Sequence, residues 1–393
     1  MWQVRLTVSG SGWIWRYNKL RGVGKGAPTN APTSGRVEWD AWLTAKIAWD
    51  RYQATMLANE WNRRDQGFLS PNQTQVAPVD PGPMPQDLIL AMGQETPVFA
   101  NVVKPMAHTI KFEDDEITYA DNPVMRPNYA YYRFEQGVMS AGVPLGKIPE
   151  ADMARIAEKA KINGSIARVM VAISPLEGGF DSVNTYDTGF VSVGFIQFAC
   201  LKDGAGSLGG ALNRFKQNDP AGFAADFRRF GIEVAQGGAL IALDPATGDE
   251  KVGPDAAEVI INDKRLIAVF QRAGRRDGFR VAQMQIAKER YYPSEDVVQV
   301  PTTPQIQVRV ADIFRSEAGL ATLMDRKVNT GKLDPLPSLM AKIWKDFNLQ
   351  DPMDLAAFEP QMIVALKFRG NYLGKEGLTQ PDPSRCRPLD RKL

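Results

Sequence analysis

The chain has 393 residues, enough for one large domain or two ordinary ones, and its composition is that of a globular protein with a sizeable core. The formal net charge of +2 gives no overall attraction to a polyanion, so we expect no nucleic-acid partner. The two cysteines form no metal or redox motif, and a single histidine, His108, excludes a His-rich zinc site. We therefore expect no metal and no organic cofactor, and a structural or solvent-facing role for His108.

The first 65 residues are predicted to form an N-terminal extension. Residues 1–35 are rich in Gly, Ser, Thr and Pro, which indicates a loosely ordered arm. Residues 38–64 have the spacing of an aromatic amphipathic helix that packs on the main domain or docks a protein partner. Residues 66–86 are rich in Pro and Gln and are the predicted linker. We expect neither a signal peptide nor a membrane span, because no sufficiently long apolar run occurs.

Residues 87–393 are predicted to form the main domain, with a core at about 100–370. Alternating segments at 107–120 and 239–253 predict two β-hairpins. Helical spacing recurs at 207–217, 220–230, 263–273, 278–290, 310–326, 337–347 and 354–367. The sequence therefore predicts an α+β fold that is mainly helical and carries small β-hairpins.

Two predicted helices precede the segment that contains the candidate catalytic carboxylates. Pro149 suits the first position of one helix, and Asn163-Gly164 ends it. The next helix starts near Ser165 and ends where two glycines follow Glu177. Its apolar face consists of Ile166, Val169, Met170 and Ile173. This places a carboxylate at a helix C-terminus, where the helix dipole disfavours negative charge.

A second carboxylate, Asp187, lies in a polar turn ten residues after Glu177. Cleaving a glycosidic bond needs one protonated carboxyl for the leaving oxygen and one ionised carboxylate for water or for the developing positive charge. Apolar neighbours predict a raised pKa for Glu177, whereas Thr185 and Thr188 can donate to Asp187 and predict a low pKa there. The interpretation requires Glu177 to line an apolar cleft. An open convex surface, or a tight pair with an arginine, would contradict it.

The order of these residues resembles that of the lysozyme-like superfamily, especially phage-type lysozymes. Those enzymes place a Glu at a helix end, an Asp about nine residues later and a Thr about six further on. Here the order is Glu177, Asp187 and Ser192, with spacings of ten and five. The resemblance implies that Glu177 is the catalytic acid, Asp187 the second carboxylate, and Ser192 a hydroxyl that positions water or Asp187. It also implies substrate contacts from Tyr186, Gln197, Thr185 and Phe195.

Two other families are also similar. The runs Glu177-Gly178-Gly179 and 194–197 resemble the Glu-Ser-Gly and Gly-Leu-Met-Gln motifs of lytic transglycosylases, in which one Glu acts as both acid and base. Gly178 replaces the expected Ser. Chitosanases carry a Glu and Asp pair on a similar scaffold. The segment 323–331 resembles one that these hydrolases use behind the cleft, and we interpret it as mainly structural.

The resemblance implies a lysozyme-like domain that hydrolyses β-1,4 bonds between the amino sugars of peptidoglycan, or of a related polymer, and is bacteriolytic. The arginines at 272–280 would suit an anionic glycan, although a solvated helix face is the simpler interpretation. A catalytically inactive component of a phage tail or secretion apparatus is the alternative. An active protein would be made in the cytoplasm and reach the cell wall, the periplasm or the medium through lysis or a dedicated export route.

Overall fold

The computed structural model describes residues 1–23, 37–67 and 76–388. Within these ranges the protein is mainly helical with small antiparallel sheets, which confirms the predicted α+β class. The second part of the predicted arm and residues 68–75 of the predicted linker lie outside the described residues. No helix in the described ranges is both long enough and apolar enough to cross a membrane.

The N-terminal residues form a unit with its own small core. Strand β1 (Gln3–Leu6) pairs antiparallel with strand β2 (Ala100–Val103). Between them lie helices α1 (Val8–Leu20), α2 (Val37–Gln66) and α3 (Gln86–Met92). A hydrophobic cluster joins these elements and consists of Leu6, Trp13, Ile14, Tyr17, Leu43, Leu88, Phe99 and Ala130. We call this set of elements the N-terminal unit.

Two predictions about this region are wrong. Residues 3–20 form a strand and a helix rather than a loose arm, because the Thr7 hydroxyl accepts the Gly10 N–H at 3.0 Å and caps α1. Residues 87–103 belong to the N-terminal unit through α3 and β2, so the main domain begins later than residue 87. The helix predicted at 38–64 is present as α2.

The first part of the main body is a hairpin, two helices and a small sheet. Its elements are β3 (Ala107–Lys111), β4 (Glu116–Ala120), β5 (Met139–Ser140), α4 (Glu150–Lys159), α5 (Gly164–Ile173), β6 (Val183–Asn184), β7 (Ser192–Val193) and β8 (Phe198–Ala199). β3 and β4 form the hairpin predicted at 107–120. β5, β6, β7 and β8 pair in that order as an antiparallel sheet, so the candidate catalytic segment forms most of it.

The second part is mostly helical. Its elements are α6 (Gly206–Asn218), α7 (Pro220–Asp226), β9 (Ile232–Val234), β10 (Leu240–Leu243), β11 (Glu250–Val252), α8 (Pro254–Asn262), α9 (Lys264–Gly274), α10 (Asp277–Tyr291), β12 (Val297–Val300), β13 (Ile306–Arg309), α11 (Val310–Ile313), α12 (Glu317–Thr330), α13 (Leu336–Asp346) and α14 (Glu359–Leu366). β10 and β11 form the hairpin predicted at 239–253. One hydrophobic cluster runs from Ile117 to Leu378 and unites this body.

Helix α5 positions the candidate site. Asn163 starts this helix rather than ending the previous one, because its side chain accepts the Ile166 N–H at 2.9 Å. The predicted apolar face of α5 is buried, and the helix packs against α12. A short 3₁₀ turn, Ser174–Leu176, continues α5 and delivers the chain to Glu177.

Three of the arginines at 272–280 (Arg272, Arg275 and Arg276) pair with carboxylates of this chain rather than forming a purely solvated face, although Arg275 stays exposed. Arg272 is buried and donates to Asp114 at 3.0 Å and to Asp226 at 3.1 Å. Arg275 donates to Asp115 at 3.1 Å. These pairs tie the turn of the β3–β4 hairpin to α9, so the cluster is an internal ionic network. His108 is also structural, since its Nε2 atom lies 2.8 Å from Asp121 Oδ2.

Candidate active site

Glu177 lies at the end of the 3₁₀ turn that follows α5, and its side chain is only 11% exposed. The two glycines after it allow the chain to turn within a crowded space. Gly178 has a φ of +138°, and a Cβ atom there would lie 2.6 Å from Ser182 Cβ. A Cβ atom at Gly179 would lie 2.1 Å from the Val143 carbonyl oxygen. The Gly-Gly pair is therefore explained by close packing beneath Glu177.

The Glu177 carboxyl is paired with an arginine, contrary to the expectation of a purely apolar wall. The Arg369 guanidinium donates to Glu177 Oε1. Asn329 Nδ2 donates to the same oxygen at 3.2 Å. Among the described residues, no hydrogen bond reaches Glu177 Oε2. The condition that no arginine should pair tightly with Glu177 is therefore not met, and the site combines burial with an ion pair.

Burial nevertheless dominates the electrostatics of Glu177. Loss of solvent raises the pKa of this carboxyl from 4.5 to about 7, although the Arg369 charge and the Asn329 hydrogen bond lower it. The negative charges of Asp325 and Asp187 add to the increase. Near neutral pH the carboxyl is therefore present in both the protonated and the ionised form, as a proton donor requires.

Asp325 organises the two donors to Glu177. This buried carboxylate accepts the Arg369 and Gly370 N–H groups at 3.1 and 3.0 Å, and Asn329 Nδ2 donates to its Oδ1 at 3.1 Å. Arg369 Nη1 also donates to Asn329 Oδ1 at 3.0 Å. Asn329 is thus part of the site. Sequence reasoning missed Arg369, and it interpreted the segment 323–331, which contains Asp325 and Asn329, as mainly structural. The spacing of Asp325 and Asn329, which puts them on one face of α12, was a further signal for these two residues.

Asp187 lies in the turn between β6 and β7, in an environment that differs from the predicted one. Its Oδ1 accepts the Gly189 N–H at 2.8 Å, and its Oδ2 accepts Asn184 Nδ2 at 2.9 Å and the Tyr129 hydroxyl at 3.4 Å. Among the described residues, neither Thr185 nor Thr188 donates a hydrogen bond to Asp187, and the Thr185 hydroxyl accepts the Val138 N–H at 3.0 Å. Burial raises the pKa of Asp187, so the expectation of a low pKa in a wet turn is wrong.

Ser192 lies beside Asp187, as the resemblance implies. A Cβ atom at Gly189 would lie 2.3 Å from Ser192 Oγ and 3.1 Å from Asp187 Oδ1, so both oxygens face the same glycine. No direct hydrogen bond joins Ser192 and Asp187 among the described residues. Ser192 is buried in β7, where it pairs with Asn184 and Ala199. Its position is compatible with a hydroxyl that acts through an intervening water.

The predicted substrate contacts are mostly structural. Thr185 and Phe195 are fully buried, so neither can touch a substrate in this structure. Gln197 Nε2 donates to Ser182 Oγ at 2.7 Å and to the Gly194 carbonyl at 3.2 Å, which holds its own loop together. Tyr186 is half-buried and remains a candidate contact.

Two surface grooves on the molecule lie away from these carboxyls. One, of about 570 Å³, lies beside α8 and contains Asp244, Lys251 and Glu258. The other, of about 880 Å³, lies between α13 and the turn of the β12–β13 hairpin and contains Trp344. Neither groove is lined by Glu177 or Asp187. Within the described residues, no group of three or more His, Cys, Asp or Glu side chains is arranged to hold a metal ion.

The described site thus consists of a half-buried, partly protonated glutamate, its Arg369 and Asn329 donors, and a second half-buried carboxylate, Asp187. Comparison of the chain with protein-family models, with curated proteins and with solved structures finds no match.

Proposed function

We propose that the protein is a lysozyme-like glycoside hydrolase that cleaves β-1,4 bonds between the amino sugars of peptidoglycan. The observation that carries this proposal is the placement of Glu177, a carboxyl only 11% exposed at a helix end, in the same segment as a second carboxylate, where burial raises its pKa to about 7. A carboxyl of this kind donates a proton to the leaving oxygen of a glycoside at neutral pH.

The Arg369 pair contradicts the expected apolar environment of Glu177, so the proposal assigns this carboxyl a different one, in which burial and an ion pair act together. Burial keeps the neutral form of Glu177 populated, while the guanidinium and the Asn329 amide both contact Oε1. When the proton leaves, these donors stabilise the carboxylate that remains. The ion pair therefore favours proton transfer to the substrate as long as the acid starts in its neutral form.

Asp187 is the second carboxylate of the proposal. In its ionised form it would orient a water molecule or stabilise the oxocarbenium ion, with Ser192 close by. The raised pKa of Asp187 limits this role to pH values at which it is ionised, and the raised pKa of Glu177 limits acid catalysis to pH values at which it is protonated. The two limits imply a bell-shaped dependence of the rate on pH.

The first experiment is clearing of purified peptidoglycan, followed by turbidity. We expect the wild type to clear the suspension and Glu177→Gln to lose at least about 100-fold of the rate, because amide nitrogen cannot donate the proton. The matched control is Glu158→Gln, the same chemical change at an exposed position on α4. If the wild type binds peptidoglycan but does not clear it, the inactive structural alternative is favoured instead.

The products separate the remaining alternatives. A hydrolase releases a reducing sugar, whereas a lytic transglycosylase leaves an anhydro-muramyl end that is lighter by one water. Mass spectrometry of the released fragments distinguishes the two. Release of reducing ends from chitosan, but not from cell-wall sacculi, would instead identify a chitosanase.

A further inference from the structure

Helix α1 of the N-terminal unit is joined to an aromatic segment, residues 129–134, that reaches the candidate site. The buried Ser11 hydroxyl donates to the Tyr129 carbonyl at 2.7 Å. Arg133 Nη1 lies 3.3 Å from the same hydroxyl oxygen, and its guanidinium stacks 5.3 Å from the Trp15 ring centroid. Helix α1 therefore contacts this segment at two places, through the Tyr129 backbone at Ser11 and through the Arg133 side chain at Ser11 and Trp15.

The same segment contacts both residues at the tip of the β6–β7 turn. The Tyr129 hydroxyl donates to Asp187 Oδ2 at 3.4 Å, and its ring lies 6.1 Å from that of Tyr186. The backbone N–H groups of Arg133 and Phe134 donate to the Tyr186 carbonyl at 2.7 and 3.2 Å. The segment thus contacts Tyr186 through its backbone and Asp187 through a side chain.

Tyr129 differs from the other donors to Asp187. Asn184 ends β6 and Gly189 lies in the turn that follows, so their hydrogen bonds to Asp187 are made within the same hairpin. Among the described residues, Tyr129 is the one donor to this carboxylate from outside the hairpin. Its hydrogen bond consequently relates the orientation of Asp187 to the N-terminal unit.

We propose that the N-terminal unit completes the candidate active site, with α1 holding Tyr129 and Tyr129 acting as a positioning residue for the Asp187 carboxylate. The inference rests on the proposed function, because it assigns a defined geometry to the second carboxylate of that reaction. It gives the N-terminal unit a role in catalysis, in place of one limited to packing or docking.

The charged and titratable groups around Asp187 determine what loss of the hydroxyl should do. They are Glu177, Tyr129, Arg133 and Tyr186. Burial raises the pKa of Asp187, while the hydrogen bonds from Gly189, Asn184 and Tyr129 lower it because they favour the ionised form. Removing the Tyr129 hydroxyl therefore raises the pKa of Asp187 further.

The test is Tyr129→Phe, which removes the hydroxyl and keeps the ring. We expect kcat to fall about tenfold or more, with KM changed less than about twofold, since a hydrogen bond to a charged group is lost. The acid limb of the pH–rate profile moves to higher pH. Tyr131→Phe is the matched control, because its ring contacts Trp15 and Tyr129 but its hydroxyl does not reach Asp187. Ser11→Ala should change kcat in the same direction by a smaller factor.

A second measurement is independent of activity. The ¹³C chemical shift of the Asp187 carboxyl, assigned with Asp187→Asn, reports its titration directly, and Tyr129→Phe should move that titration to higher pH. If the wild type cleaves no glycan, the proposed function fails, while the titration still tests Tyr129. Identical kinetics and identical Asp187 titration in Tyr129→Phe and Tyr131→Phe would overturn the inference, provided that thermal unfolding shows both variants to be folded.

Discussion

At the residue scale, opposing interactions set the pKa of the Glu177 carboxyl. Desolvation favours the neutral form, and Arg369 and Asn329 favour the charged form. An arginine partner alone would keep the carboxyl ionised, and an apolar pocket alone would leave the product carboxylate unstabilised. The combination leaves the pKa near neutrality, which is the range in which one group can both hold and release a proton.

This balance predicts how stability depends on pH. The pKa of Glu177 is about 7 in the folded protein and 4.5 in its ordinary environment, so the folded state binds more protons between these values. The preference of the folded state for protonated Glu177 therefore contributes stability that is fully present below about pH 4.5 and is lost as the pH rises through about 7. We expect Glu177→Gln to exceed the wild type in the free energy of unfolding above pH 7 by on the order of 3 kcal/mol.

Urea unfolding at about pH 4 and about pH 8 measures this difference. The two proteins should have similar stability at the lower pH and diverge at the higher one. Glu158→Gln, at an exposed position, should follow the wild type at both. If Glu177→Gln has the same pH dependence as the wild type, the Glu177 carboxyl has an ordinary pKa.

At the scale of elements, α5 depends on its cap as well as its buried face. Asn163 supplies a side-chain oxygen to the Ile166 N–H, which would otherwise lack a partner in the first turn. We expect Asn163→Ala to lower the free energy of unfolding by about 1 kcal/mol. Asn163→Asp keeps an acceptor oxygen and should remain within a few tenths of a kcal/mol of the wild type. Equal losses for the two variants, measured by urea unfolding, would show that the cap does not stabilise α5.

At the scale of the whole molecule, the ionic network around α9 joins elements far apart in the sequence. Arg272 and Asp226 are both almost fully buried, and Arg272 also pairs with Asp114 in the hairpin turn. Removing one member of a buried pair leaves the other charge without compensation. We expect Arg272→Ala to lower the free energy of unfolding by about 3 kcal/mol. This is near the low end for breaking a buried ion pair, because Arg276 still contacts Asp226.

The control for this prediction is Arg265→Ala. Arg265 forms an ion pair with Asp263, but its side chain is 67% exposed. Surface pairs of this kind contribute about 0–1 kcal/mol. Urea unfolding of both variants compares a buried and an exposed arginine on the same helix, and similar losses would show that burial of the network does not matter.

Much of the local structure could be predicted from the sequence. The helix before Glu177 (which ends at Ile173 and continues as a 3₁₀ turn), the glycines after Glu177 and the hairpin at 107–120 were all predicted. These features depend on helical periodicity, on alternation and on the conformational freedom of glycine. Each involves residues that are close in the chain, so the relevant contacts can be read from the spacing.

Only the tertiary structure decided the electrostatic environment of the candidate site. Arg369 is 192 residues from the glutamate that it contacts, and Ser11 is 118 residues from Tyr129. No short-range pattern encodes such contacts. The sequence by itself determined that an acidic residue, Glu177, follows the end of a helix. The folded chain determined that acid's charge, its partners and its connection to the N-terminal unit, because desolvation and pairing depend on which distant segments meet.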